Sequence, residues 1–151
     1  MGVPVSAPSY RVLVIEDDGV AAAVLTHTLE RSGRFSVDFT GDPAQGLAML
    51  RAMDWDLLIV DVGLPGISGL ELIRSLPPDR KPPTIVITGS PSLDVAVEAL
   101  RSAADDFLAK PVDSRTLVEK ALELAARPRR REGFGRDPRS GADAPGRDPA
   151  A

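Results

Sequence analysis

The sequence predicts an α/β fold, a five-stranded parallel sheet with helices packed against it. Three observations carry this expectation. Five short β-rich apolar runs alternate with five stretches of helical apolar spacing. Caps and prolines mark the helix starts at Asp18, Asp42-Pro43, Ser90-Pro91 and Asp113. The runs are too buried in character to face water on one side, and strands joined through helices run parallel with right-handed crossovers.

Taken in order, Tyr10-Arg11-Val12-Leu13-Val14-Ile15 is the first strand and ends in Glu16-Asp17-Asp18. Asp18 caps a helix whose apolar stripe is read as Val20, Ala21, Val24, Leu25 and Leu29, with Gly33 as its stop. Phe35 to Phe39 is strand two. Ala44, Leu47, Ala48 and Leu50 give the second helix its apolar spacing. Leu57 to Val60 is strand three, closed by Asp61 and a turn-rich segment from Val62 to Gly69. A short helix covers 70–76 and stops at Pro77-Pro78. Thr84 to Thr88 is strand four. The fourth helix runs to about Ser102, with Leu93, Ala96, Val97 and Leu100 read as its buried side and Val95 and Ala99 as its outer side. Asp106 to Ala109 is strand five, followed by Lys110-Pro111. The last helix carries Leu117, Val118, Ala121, Leu122 and Ala125 on its apolar stripe.

The domain boundaries follow from composition. Residues 1–9 read as a flexible N-terminal segment, 10–126 as one folded domain and 127–151 as a tail. The tail holds seven arginines against four acidic residues and a single large apolar residue, Phe134, so it is expected to be disordered. The whole chain carries −4, which leaves −7 on residues 1–126. An acidic globule is a poor match for nucleic acid, and the short arginine cluster lacks interleaved aromatics, so no direct DNA binding is expected. No apolar run approaches the ~20 residues of a membrane span, and the N-terminus has no secretory pattern. Cysteine is absent, which excludes disulfides and thiol chemistry and agrees with a cytoplasmic setting.

A parallel sheet brings the C-terminal ends of its strands to one edge, where ligands bind. Those ends carry Glu16-Asp17, Asp61, Thr88 and Lys110. Crowded carboxylates repel and raise one another's pKa values, and a hard divalent cation and a lysine relieve the repulsion. Mg²⁺ (or Mn²⁺) suits carboxylates, water and phosphate oxygens, lysine suits a phosphate as a point charge, and Thr88 adds a hydroxyl donor. The set fits phosphoryl transfer, with the Asp61 carboxylate attacking phosphorus. His27, within the first helix, reads as a boundary residue, and Trp55 as packing at the entrance to strand three.

Val14-Ile15-Glu16-Asp17-Asp18, Asp61 with Leu64-Pro65 and Gly69, Thr88-Gly89, and Asp106-Phe107-Leu108-Ala109-Lys110-Pro111 together resemble the receiver domain of bacterial response regulators, over about residues 10 to 126. The resemblance implies a flavodoxin-like, doubly wound sheet of strand order 2-1-3-4-5. It implies a phosphoacceptor switch, not an enzyme with a separate substrate, fed by a sensor histidine kinase or a histidine phosphotransfer protein. By position, Asp61 is the phosphoacceptor. Asp17 is a direct metal ligand, Glu16 acts through water, and the Gly63 carbonyl completes the metal site. Thr88 and Lys110 contact the phosphoryl group, and Phe107 takes the place of the aromatic that reorients on activation. The expected output is a changed helix 4–strand 5–helix 5 surface, with Val95, Ala99 and Phe107 on its partner face, acting on a downstream protein. The expected form is a stand-alone receiver, a monomer or a weak phosphorylation-dependent dimer. A phosphorelay shuttle and an unphosphorylated adaptor are the alternatives.

The sequence departs from the family pattern at four places. Ala103 replaces a usual glycine, Gly89 a commoner alanine, and Phe107 a frequent tyrosine, so its switching rests on packing without a terminal hydroxyl. Gly63 is small two residues past the phosphoacceptor. That leaves water a path to the phosphoryl group and removes the second acid that an aspartyl phosphatase needs. A flavin or nucleotide carrier is disfavoured because Glu16-Asp17-Asp18 stands where a phosphate cradle belongs.

Overall fold

The computed structural model describes residues 9–89, 92–101 and 104–128. Five parallel strands form one sheet: β1 (Tyr10–Ile15), β2 (Phe35–Thr40), β3 (Leu57–Asp61), β4 (Thr84–Thr88) and β5 (Asp106–Ala109). Their order is β2-β1-β3-β4-β5, as the resemblance implied. The helices are α1 (Gly19–Arg31), α2 (Pro43–Ala52), α3 (Gly69–Arg74), α4 (Leu93–Arg101) and α5 (Ser114–Ala125), with a 3₁₀ turn at Pro78–Arg80 that the sequence reading did not separate.

Every residue of β3 and β4 is buried, which is why their apolar runs do not alternate. The sheet divides the core in two. Val12, Val14, Ile59, Ile85 and Ile87 face α1 and α5, whose Leu25, Leu29, Leu117 and Leu124 cover them. Leu13, Ile15, Leu58, Val60 and Val86 face the other way, toward Leu50, Leu70, Leu72, Ile73 and Ala99. Trp55 is buried with the second cluster and donates its indole N–H to the Met49 carbonyl at 2.9 Å.

Local chemistry sets the helix ends. Asp18 Oδ1 accepts from the Val20 and Ala21 amides at 2.9 and 3.2 Å. Asp42 accepts from Ala44 at 3.0 Å ahead of Pro43, and Asp113 from Thr116 at 2.9 Å. α1 stops at Gly33, whose φ of 80° lies in the left-handed region that glycine enters without strain. α3 opens on a reciprocal cap: Ser68 accepts from Leu70, and Glu71 reaches back to the Ser68 amide at 3.1 Å. The Ser90-Pro91 start, Ala103 and the tail from 129 onward lie outside the described residues.

Helix faces differ from expectation in α1, α4 and α2. In α1 the buried residues are Ala22, Leu25 and Leu29, whereas Val20 and Val24 are 75% and 56% exposed. In α4 the expected outer residue Ala99 is buried at 1% exposure, Val95 is half-buried and Val97 is exposed. Ala99 is therefore withdrawn from the partner face. α1 starts with a run of small apolar residues from Val20 to Ala23, so hydrophobicity sets its phase weakly, and in α4 the successive Val95, Ala96 and Val97 span more than one face. Close approach to a flat sheet then favours alanine over the bulkier valine on the inward line. α2 likewise buries Pro43, Gly46 and Leu50 and leaves Ala44 and Ala48 exposed. The side chains of Leu93 and Leu100 lie outside the description.

Candidate functional site

The sheet register assembles the site. Ile15 pairs with Val60 and Asp61 with Ile87, so Glu16 and Asp61 leave adjacent strands at the same level. Thr88 pairs with Ala109, and the Lys110 amide donates to the Thr88 carbonyl at 2.8 Å, which places Lys110 at the same rim. The Lys110-Pro111 peptide is cis, a state the sequence left open.

Asp61, Glu16 and Thr88 are buried, and Asp17 is exposed. One carboxylate oxygen from each of Glu16, Asp17 and Asp61 lies within 4.8 Å of the others. Lys110 Nζ is 2.7 Å from Glu16 Oε1 and 3.5 Å from Asp61 Oδ1. Glu16 Oε2 accepts from the Asp18 amide at 3.1 Å. Its Oε1 is sealed from solvent and faces the Lys110 ammonium as its ion-pair partner.

Burial raises the Glu16 carboxyl above its usual range, with the Asp61 charge adding to the rise and Lys110 opposing it. Desolvation is thus the larger cause, ahead of the repulsion expected from the sequence. Burial pulls the Lys110 ammonium down, but Glu16 and Asp61 outweigh it, and the lysine sits above its usual value.

The residues present fit a divalent cation. All the donors are hard oxygens, they converge within 4.8 Å of one another, and the one on Asp17 is exposed to water. Gly63 lies beside the phosphoacceptor position: a Cβ added there would meet Asp61 Oδ2 at 3.9 Å and nothing closer. Gly89 is equally open, with Lys110 Cδ at 3.9 Å. Gly69 is the opposite case, since its Cβ would fall 2.2 Å from the Asp61 carbonyl oxygen. The sequence reading noted Gly69 only as a motif residue; that it presses α3 against the backbone of Asp61 is visible only in three dimensions.

Phe107 is half-buried and packs on the α2–α3–α4 side of the core, the same cluster that holds Ala99. His27 is exposed on α1. A groove of about 210 Å³ runs between α1 and the start of α5, lined by Ala21, Val24, Thr28, Pro111, Val112 and Leu117. It reaches Lys110, so an apolar trough adjoins the charged rim. Its α1 wall was hidden from sequence reasoning by the assignment of Val24 to the core.

An open parallel sheet of order 2-1-3-4-5 with three carboxylates and a lysine at its carboxyl edge defines a receiver-type signalling domain. The chain belongs to that family: the profile described as response regulator receiver domain matches residues 12–122. It is 36% identical over 125 residues to the transcriptional regulatory protein QseB of Haemophilus influenzae, covering 82% of this chain and 55% of that one. It is 35% identical over 122 residues to the DNA-binding response regulator MtrA of Mycolicibacterium smegmatis, covering 81% and 52%. The chain thus spans about half the length of these curated relatives. Among solved structures it resembles a CheY-like receiver domain protein from Methanospirillum hungatei, with a TM-score of 0.70, 31% identity, and 80% and 94% of the two chains covered. It also resembles a Burkholderia pseudomallei response regulator solved with a phosphorylated aspartic acid, a calcium ion and citrate. There the TM-score is 0.66, the identity 34%, and the shares covered 77% and 66%. Among the described residues no helix is long and apolar enough to cross a membrane.

Proposed function

We propose that this domain is a phosphoacceptor switch in which Asp61 takes a phosphoryl group from a phosphohistidine of a sensor kinase or phosphotransfer protein. The observation that carries the reading is the meeting of Asp61 with Glu16, Asp17 and Lys110 at one sheet edge. The relative solved with a phosphorylated aspartic acid and a bound calcium ion supports it. Asp17, Asp61 and the Gly63 carbonyl, with Glu16 through water, would hold Mg²⁺ (or Mn²⁺), which supplies positive charge against the phosphoryl oxygens.

In the transfer, an Asp61 carboxylate oxygen forms a bond to phosphorus as the phosphorus–nitrogen bond to the donor imidazole breaks. The imidazole departs with that electron pair. Lys110 neutralises charge on the phosphoryl oxygens, and Thr88 donates its hydroxyl to one of them. Burial of Asp61 keeps the acyl phosphate from bulk water, while Gly63 leaves a narrow approach open. The donor seats against α1, where exposed Val24 borders the groove that leads to Lys110. Phosphorylation then biases Thr88 and Phe107, and the surface of α4, β5 and α5 that includes Val97 presents the result to a partner.

The test is labelling with acetyl phosphate or phosphoramidate, with and without Mg²⁺, in wild type and Asp61→Asn. Metal-dependent, hydroxylamine-labile labelling that disappears in Asp61→Asn is expected. Absent or metal-independent labelling, or labelling retained by the variant, would overturn the reading.

A further inference from the structure

We propose that Arg74 and Glu98 form an electrostatic strut between α3 and α4 that sets how readily α4 leaves the sheet. Among the described side chains the two helices are anchored differently. α3 buries Gly69, Leu70, Leu72 and Ile73, and the Gly69 amide donates to the Val62 carbonyl at 3.0 Å, so it is fixed to the segment that follows Asp61. In α4, Ala99 is the one buried side chain among those described. Val95, Ala96 and Glu98 are half-buried and Val97 is exposed. A methyl group supplies little apolar area, so α4 gains little from burial at these positions.

The Arg74 guanidinium meets the Glu98 carboxylate across this boundary. Glu98 directly precedes Ala99, so the pair acts beside the point where α4 touches the core. The side chains are 45% and 37% exposed, which shields the pair from water in part. Glu71, three residues before Arg74, is engaged with the Ser68 amide, and on α4 Asp94 and Arg101 flank Glu98 with opposite signs. The strut therefore ties α4 to the firmly packed α3, and through α3 to the segment that follows Asp61. The proposal concerns the free protein and holds whether or not Asp61 is phosphorylated.

Native-state amide hydrogen exchange tests it, in low salt and without phosphodonor, on wild type, Arg74→Gln, Glu98→Gln and the swapped double variant Arg74→Glu/Glu98→Arg. Either single change is expected to speed exchange of the α4 amides by about two- to five-fold, with the α1 amides unaffected. The swapped variant should restore protection, and about 1 M salt should remove the difference between wild type and single variants. Unchanged α4 exchange, an equal rise in α1, or a swapped variant as unprotected as the singles would overturn the proposal.

Discussion

Replacing Gly69 with alanine tests how tightly α3 is pressed against the phosphoacceptor strand. The added Cβ would lie 2.2 Å from the Asp61 carbonyl oxygen, 2.9 Å from its carbonyl carbon and 3.0 Å from Val60 Cγ2. Comfortable carbon–oxygen contact starts near about 3.3 Å, so the start of α3 must retreat by about 1 Å. The obstacle is backbone in a fully buried strand and cannot turn aside as a flexible side chain would. Overpacking of this kind costs about 1–3 kcal/mol. The better helix propensity of alanine returns at most about 1 kcal/mol, and less in a first turn. A net loss of about 1–2 kcal/mol corresponds to a fall in Tm of roughly 5–10 °C for a domain of this size. Thermal unfolding followed by circular dichroism measures it, with Gly63→Ala as the control, since a Cβ there has 3.9 Å of room. Phosphoryl labelling of Gly69→Ala should also slow, because the strain falls on the backbone of Asp61. A Gly69→Ala protein that melts together with wild type and the control would refute the reasoning.

The other expectations concern the rim and its approaches. Gly63→Arg should fold normally and lengthen the acyl-phosphate half-life roughly threefold, a barrier change of about 0.7 kcal/mol; an unchanged half-life in a hydrolysis time course would count against water entry at Gly63. Val24→Asp should cut phosphotransfer from the cognate kinase about tenfold and leave labelling by acetyl phosphate intact, whereas equal losses with both donors would point to damaged folding instead. Lys110→Met leaves the buried Glu16 carboxylate without its ammonium, at a cost of about 2–3 kcal/mol in chelator at neutral pH. The sign with pH is fixed by the shifts: Glu16 is raised, so acid neutralises it in the fold first and the cost shrinks as pH falls toward 4.5. Lys110 is raised as well, so its contribution is present below 10.5 for as long as Glu16 stays ionised, and it fades as pH climbs through the higher folded value of the lysine. Denaturant midpoints of both proteins across pH measure this, and a difference that is flat from pH 4.5 to 8 would contradict it.

Much of the sheet and its rim was legible in the sequence because both rest on local signals. Continuous apolar runs mark strands buried on both faces, and a charge at a run's end marks the sheet edge, so Glu16, Asp17, Asp61, Thr88 and Lys110 could be gathered before any coordinates. The helix faces were less legible. Val20 and Val24 outrank Ala22 in hydrophobicity, yet Ala22 is the residue that fits against the strands. The same competition misplaced Ala99. The order of causes at Glu16 was also beyond the sequence, since charge can be counted along a chain but desolvation depends on how the neighbours close over it. The Ser68–Glu71 cap was readable from its spacing and went unread; the contact between Gly69 and Asp61 had no sequence signature of its own.

Among the described residues the two apolar clusters stay separate, because β1, β3 and β4 stand between them as a continuous wall of buried strands. The trough beside α1 opens on one side of that wall, while Phe107 and Ala99 belong to the other. If the donor docks at the trough as proposed and a partner reads Phe107, loading and reading meet opposite faces of the sheet, with α5, which walls the trough and belongs to the proposed output surface, common to both. How far two proteins then exclude one another turns on how much of α5 each covers.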